Sequence, residues 1–421
     1  GALVLLVVLF LGIRAISSGL GGGSDKKLTW WGLWEDESIV IPLIQEYEEQ
    51  NPGVEIEYVK QSHRDYRERI TNALARGEGP DIFRFHNTWV PMFRQELDTV
   101  PASVMTPAEF VETYYPVASR DLSSGSGLVG IPLEYDGLTL FINEDIFSAA
   151  GKTAPETWDD LRQTAIELTT KDEQGVITQA GVALGRTENV DHWEEILALM
   201  MIQNGASPAS PTGNLAEDAI VFYTVFSNAD GVWNATLHSS TREFAAGKLA
   251  MYFAPSWRAF EIIQQNPSLK FKTVALPQLP REGSGEDISY ATYWAEGVWA
   301  RSDNKDLAWD FLSFLSTKES LQKLYQSASR VRSFGEPYPR VDMAATLLEH
   351  PLLGSIIALA PDAESWYLAS RTFDGPTGLN SQLSAYYQDA VNAVNEGQGP
   401  AKALATAAEG IRQVLTQYGI R

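Results

Sequence analysis

The sequence predicts an α/β fold with enough chain for two domains. Three observations carry this. Strand-length apolar runs alternate with helix-length amphipathic stretches from about residue 28 onward. The chain has 421 residues, against roughly 150–200 per domain. Hydrophobic residues make up 44% and charged residues 20%, the balance of a chain that builds a core.

The elements follow in order. Leu28 to Leu33 reads as a short aromatic strand. Ser38 to Gln50 reads as a helix with Ile39, Leu43, Ile44 and Tyr47 on one face, and Pro42 is tolerated in its early turn. Asn51-Pro52-Gly53 stops it. VEIEYV, Val54 to Val59, alternates as a half-buried strand. A helix over His63 to Arg76 and a strand DIFRF, Asp81 to Phe85, complete βαβ units on a parallel sheet. GIPLEY (130–135), LTLFIN (138–143) and KLAMYF (248–253) are further strands. Thr157 with Asp160 three residues on forms a capping box. Ser302 or Asp303 caps a helix running to Ser316, and Thr406 to Tyr418 is the last helix. Breaks at 207–213 and 279–285 read as surface loops. No fixed-period repeat is present, which argues against a solenoid or propeller.

Composition excludes several function classes. There is no cysteine, so disulfides, thiolate metal sites and cysteine nucleophiles are absent. A net charge of −22 opposes binding to nucleic acid or to an anionic membrane surface. GALVLLVVLFLGI (residues 1–13) is uncharged, yet shorter than the about 20 residues a span needs. It reads as the end of a signal peptide's apolar region or as an uncleaved membrane anchor, followed by a flexible Gly19 to Ser24 tether. Residues 1–25 are therefore set apart from the folded part, which is expected outside the cytoplasm.

Catalytic signatures are missing. The histidines at 63, 86, 192, 238 and 350 have no HExxH or i, i+4 spacing. GPTGLN lacks the order of a phosphate loop, and there is no GxSxG elbow. Acids are plentiful, so a glycosidase carboxylate pair stays open, but no pair is marked out. The twelve tryptophans say more. Core packing is the ordinary role of each. Trp34, Trp89, Trp193, Trp257, Trp294 and Trp366 stand beside polar residues at strand ends or in loops. A sugar presents an apolar C–H face and a rim of hydroxyls, so a flat aromatic beside a carboxylate or amide suits it. The ends of open α/β strands are also where ligands bind. Within LTWWGLWEDES, Trp30 and Trp31 point to opposite faces under flanking helices, and Trp34 lies past the strand end.

Five stretches then occur in a telling order: LTWWGLWEDES with LIQEYEEQNPGVEIEYV, ITNALARGEGPDIFRF, GIPLEYDGLTLFINEDIFSAAGKTAPETWDDLRQTAIELT, FAAGKLAMYFAPSWRAF and NKDLAWDFLSFLSTKESLQKLYQ. Together they resemble the extracellular solute-binding proteins of ABC importers, in the maltose- and oligosaccharide-binding-like family. The resemblance implies two α/β lobes, each with a central mostly parallel sheet, joined by crossing hinge strands. It assigns 26–134 and 294–335 to the first lobe, and 135–293 and 336–421 to the second. It implies a monomer that closes on a sugar or oligosaccharide and presents it to a membrane permease. No cofactor, metal or catalytic residue is implied.

Carried over by position, the ligand contacts are Trp34 and Glu35 after the first strand, and Asn87, Thr88 and Trp89 after DIFRF. Tyr135 and Asp136 follow on a crossing strand, then His192 and Trp193, then Trp257 stacked under a sugar ring. Trp294 and Glu296 stand at the second crossing, and a third aligned region runs from Trp366 to Asn380. The chain departs from the family in having Ala254-Pro255-Ser256 before Trp257, and in lacking a lipid-attachment cysteine. A polyamine or glycerol phosphate ligand stays open, with Arg258, Arg330 or Arg332 available to a phosphate. So do a carbohydrate-active enzyme and a membrane-anchored sensor.

Overall fold

A first sheet is built from strands Lys26–Gly32, Val54–Lys60, Ile82–His86 and Trp294–Val298. The computed structural model describes residues 26–420 apart from 126 and 281–286. The expected N-terminal anchor and tether, and most of the 279–285 loop, lie outside the described residues. Lys26–Gly32 pairs in parallel with both Val54–Lys60 and Ile82–His86, as the βαβ pattern requires. Trp294–Val298 arrives from far along the chain and runs antiparallel beside Ile82–His86.

The strand Lys26–Gly32 buries Leu28 and Trp30 on one face. Trp30 meets Tyr58 edge-on at 4.8 Å and Phe311 at 5.8 Å, and its Nε1 donates to Glu296 at 3.1 Å. Trp31, on the opposite face, is half-buried. The first helix, Glu37–Gln50, holds the expected apolar face. The second, Tyr66–Arg76, starts three residues later than the apolar pattern indicates, because Asp65 turns into left-handed backbone ahead of it.

The second sheet contains Thr139–Asn143, Thr170–Lys171, Ile177–Val182, Leu249–Ala254 and Phe271–Val274. Only Ile177–Val182 and Leu249–Ala254 pair in parallel there; the other pairs are antiparallel. The reason is the route of the chain. Thr139–Asn143 enters directly from a crossing segment, so no βαβ crossover fixes its direction. Gly130 to Tyr135 forms no regular strand. Pro132 cannot donate to a ladder, and only Ile131 pairs, with Glu296. The Thr157–Asp160 capping box closes as expected at the head of Trp158–Leu168. Lys305–Leu315 follows Asn304 instead of Ser302 or Asp303, since Ser302 is engaged with Asp81. The last helix begins at Pro400, which pre-sets the first turn, and Ala401 and Ala403 extend it backward.

Three connections between the sheets lie side by side. Leu138 N–H donates to Tyr290 O at 2.8 Å, Thr292 N–H to Asp136 O at 3.0 Å, and Tyr135 N–H to Pro337 O at 2.9 Å. A Cβ on Gly137 would stand 2.7 Å from Tyr290 O, so the first two connections approach too closely for any larger residue. Together the two sheets and their crossing connections make a two-lobed architecture.

A buried charge network sits against these connections. Arg84 binds Glu35, and its Nε donates to Glu296 at 2.7 Å. Glu134 lies 3.7 Å away, and Arg332 pairs with Glu336 at 2.7 Å. Burial pushes the Glu35 carboxyl up, but the charges of Arg84 and Arg332 outweigh it and hold it below its ordinary range. Burial raises Glu134 well above its range, helped by Glu336 and Glu35. Removing the central cation would strand carboxylates in the interior. Arg84→Met is therefore expected to cost about 3–5 kcal/mol of stability, read by urea unfolding. A loss within ±0.5 kcal/mol, the usual range for surface substitutions, would show that the network is energetically idle.

Candidate functional site

Between the two sheets, against the crossing connections, lies a cavity of about 450 Å³. Trp34, His63, His86 and Trp294 wall it on the side of the first sheet. Trp34 follows the strand end and stands edge-on to Trp294 at 5.5 Å. Trp294 in turn rests on His86 at 5.1 Å and on Trp89 at 5.4 Å. The opposite wall holds His192, Glu195, Trp257, Phe260 and Glu261. The crossing connections supply the floor, with Glu134, Asp136, Thr292, Tyr293 and Glu336.

Asp136 is fixed in place by donors. Its Oδ1 accepts from Gly137 N–H at 2.7 Å and Ser256 N–H at 3.1 Å, and its Oδ2 accepts from the Ser256 hydroxyl at 2.8 Å. Burial nevertheless pushes its pKa up to about 7, because these bonds only partly offset lost hydration. His86 is held neutral by burial, with its pKa lowered to about 3. On the far wall Arg258 Nε donates to His192 Nε2 at 2.9 Å. Arginine can only donate, so the proton of His192 sits on Nδ1, which faces the Ser370 hydroxyl at 2.9 Å. The Ser370 hydroxyl in turn donates a hydrogen bond to Glu195 Oε1 at 2.9 Å. Arg258 also lies over the Trp257 ring, 4.5 Å from its centre, which pins that plate from behind.

Of the residues expected from the sequence, Trp34, Asp136, His192, Trp257 and Trp294 meet at this cavity. Glu35 and Glu296 lie below it in the Arg84 network. Trp89, Tyr135 and Trp193 are buried in the core. Asn87 and Thr88 line a second cavity of about 540 Å³ with Asp121, Arg120, Ser365 and Trp366. There Asn87 donates to Asp121 at 2.8 Å. The 450 Å³ cavity is the candidate site, although it is the smaller, because aromatic plates face it from both sides over a polar floor. Glu35, Glu134 and Glu336 bring oxygens within 4.8 Å of one another. Arg84 and Arg332 already stand among these carboxylates.

Sequence reasoning missed His63, Phe260 and Glu336, and offered Arg332 only to a phosphate ligand. His63 follows the second strand, so the strand-end rule that found Trp34 also reaches it. Arg371 and Phe373 fall inside the third aligned region, Trp366 to Asn380, but no local sequence signal singles either out within it. Both lie in left-handed backbone, at φ of 52° and 55°, where glycine or asparagine is the usual occupant.

The model of the bacterial extracellular solute-binding proteins matches residues 31–322. The chain belongs to that family. This solute-binding protein is 23% identical over 337 residues to a binding protein of Brucella abortus, covering 75% of this chain and 78% of the relative. It is 21% identical over 310 residues to the multiple sugar-binding protein of Streptococcus mutans, covering 69% and 71%. Among solved structures it resembles a solute-binding protein of Thermotoga lettingae bound with α-D-tagatose, with TM-score 0.69, 21% identity, and 93% and 100% of the two chains covered. It also resembles the cyclic α-maltosyl-1,6-maltose binding protein of Arthrobacter globiformis, with TM-score 0.72, 18% identity, and 93% and 99% covered. These likenesses establish the shared two-lobed fold. Members of the family capture solutes and are not enzymes.

The raised acid at the floor has a pH signature. A carboxyl whose folded pKa exceeds its unfolded one takes up a proton on folding, so its ionisation weakens the fold. For Asp136 that loss runs from about pH 4, near the ordinary value of 3.8, up to about pH 7. Asp136→Asn imitates the protonated form. Its stability is expected to gain on the wild type as pH rises across that window. Thermal melts at pH 4.5, 6 and 7.5 read this directly, and a constant difference between the two proteins would refute it.

Proposed function

We propose that this chain is the solute-capturing component of an ABC importer and that its ligand is a sugar or oligosaccharide. One observation carries the reading: Trp34 with Trp294 on one wall and Trp257 on the other face a floor of Glu134 and Asp136. Aromatic plates take the C–H faces of a sugar, and carboxyl oxygens accept from its hydroxyls. A ligand touching both walls stabilises the closed arrangement more than an open one, and that differential contact drives closure. The similarity to the sugar-binding protein of Streptococcus mutans and the maltosyl-maltose binding protein of Arthrobacter globiformis supports a carbohydrate. In this reading a membrane permease receives the ligand, and the protein works as a monomer outside the cell. Among the described residues no helix is long and apolar enough to cross a membrane. An apolar anchor followed by the Gly19 to Ser24 tether, within residues 1–25, would then hold the protein at the membrane, and the similarity to an uncharacterized lipoprotein of Streptomyces antibioticus supports anchoring.

A thermal-shift screen against mono- and oligosaccharides, polyamines and glycerol phosphate tests the ligand class. A ligand that binds only the native state raises the melting temperature. A carbohydrate is expected to do so; a shift from a polyamine or phosphate ester alone would overturn the sugar reading. Trp257→Ala is expected to weaken the active sugar by about tenfold or more, roughly 1.4 kcal/mol, with the unliganded melting temperature nearly kept. A collapse of the fold would instead make Trp257 a core residue.

A further inference from the structure

The mouth of the cavity is marked by its exposed lining residues, His63, Gln264 and Arg371. Across this mouth runs the segment Arg371 to Gly378. At its start Ser370 is tied to the far wall through Glu195 and His192. At its end it enters the helix Leu379–Asn395, which packs with Pro400–Gln417 and Asn214–Asn228 on the side of the second sheet. In between it reaches over to the first. Arg67 donates to Asp374 O at 3.1 Å and to the Thr377 hydroxyl at 3.3 Å. The Phe373 ring lies 4.5 Å from His63 and 5.9 Å from Trp34, centre to centre.

This crossing needs unusual backbone. Arg371 and Phe373 are both left-handed, a conformation that bulky side chains avoid. Strain of this kind persists only where the surroundings dictate it. Here Asp374 dictates it: the carboxylate is fully buried and accepts from Asn380 N–H at 2.7 Å and the Ser381 hydroxyl at 2.6 Å. With Asp374 anchored beneath its own helix, the left-handed turn throws Phe373 outward, over the mouth and onto the opposite wall.

We propose that this segment is a length gate, with Phe373 as the residue that decides how long a ligand can be while the lobes still close over it. The inference rests on the carbohydrate reading and deepens it. A cavity of about 450 Å³ has the size of a small-molecule pocket. That is more than one pyranose with its hydroxyls fills, so the enclosed ligand is a short oligosaccharide of about two units. A further unit has to leave through the mouth, where the Phe373 ring and its contacts with His63 and Trp34 stand in the way.

The test is titration calorimetry on the full chain with glucose, maltose, maltotriose and maltotetraose, with mannobiose and mannotriose, and with putrescine, spermidine and spermine as a non-sugar ladder. In the wild type, affinity is expected to peak near two sugar units and to fall about tenfold or more by four. Phe373→Ala is expected to move the peak at least one unit longer and to raise tetraose affinity about tenfold. His63→Ala, which removes one of the rings Phe373 rests on, gives the same displacement in smaller measure and serves if Phe373→Ala does not fold. Sugars that bind both variants with the wild-type length profile overturn the gate and leave the carbohydrate reading standing. A polyamine ladder that binds while no sugar does overturns the carbohydrate reading, and the gate then stands or falls on the same displacement among polyamines. A wild type that binds neither ladder overturns both.

Discussion

Arg84 is a cation with 3% of its side chain exposed, and the arrangement of the site follows from what it must hold. It sits on a central strand of the first sheet. Glu35 comes to it from the loop after the first strand, Glu296 from the strand that returns from the second lobe, and Glu134 from the first crossing connection. Arg332 and Glu336 add the third connection. Burying charge costs several kcal/mol per ion, so such a cluster is a poor source of stability by itself. It is consistent instead as a registry device. Each carboxylate arrives on a different piece of chain, and only one relative placement of those pieces satisfies the guanidinium. Four acids against two arginines leave an excess of negative charge. Burial relieves it by raising Glu134, Glu296 and Glu336 toward their neutral forms.

The period-2 geometry of a strand carries this registry into the cavity. Arg84 and His86 share one face of their strand, and Glu296 and Trp294 share one face of the neighbour. The pairs Glu296 with Arg84 and Trp294 with His86 are cross-strand partners. One step of two residues therefore leads from the buried charge network to the aromatic wall. In the loop that follows the adjoining strand Glu35 is clamped by Arg84, and Trp34 is the residue before it. Both plates on this side are positioned by salt bridges one or two residues away, which is a stiffer support than packing alone.

The same geometry explains what was legible in the sequence. The parallel half of the fold was readable because apolar period and turn residues are local signals. Trp34 and Trp257 were readable because they follow strands. The rule that an acid beside a tryptophan marks a sugar site misplaced Glu35 and Glu296, because the partner that claims both, Arg84, is remote in sequence. Trp89 obeyed the rule as well, with Asn87 and Thr88 before it. A short 3₁₀ turn rotates it inward onto Tyr66 and Phe93, at ring distances of 6.1 and 5.8 Å. Tyr135 is drawn into a cluster with Tyr115 and Tyr293. Phe373 was legible only as part of the Trp366 to Asn380 region, because its own role depends on a backbone conformation that its residue type disfavours.

The division of labour around the cavity matches the mechanics of a hinge. Hydrogen bonds weaken steeply with distance and angle, so a directional acceptor works best where the chain moves least. Asp136, Glu134 and Glu336 stand on the crossing connections, and Asp136 is braced there by three donors. Apolar contact is non-directional and tolerates a change in approach. Trp34 and Trp294 on one side, and Trp257 and Phe260 on the other, belong to the two walls that closure moves relative to one another. Polar recognition at the floor can then be set before closure, with the plates adding their contact area as the walls meet.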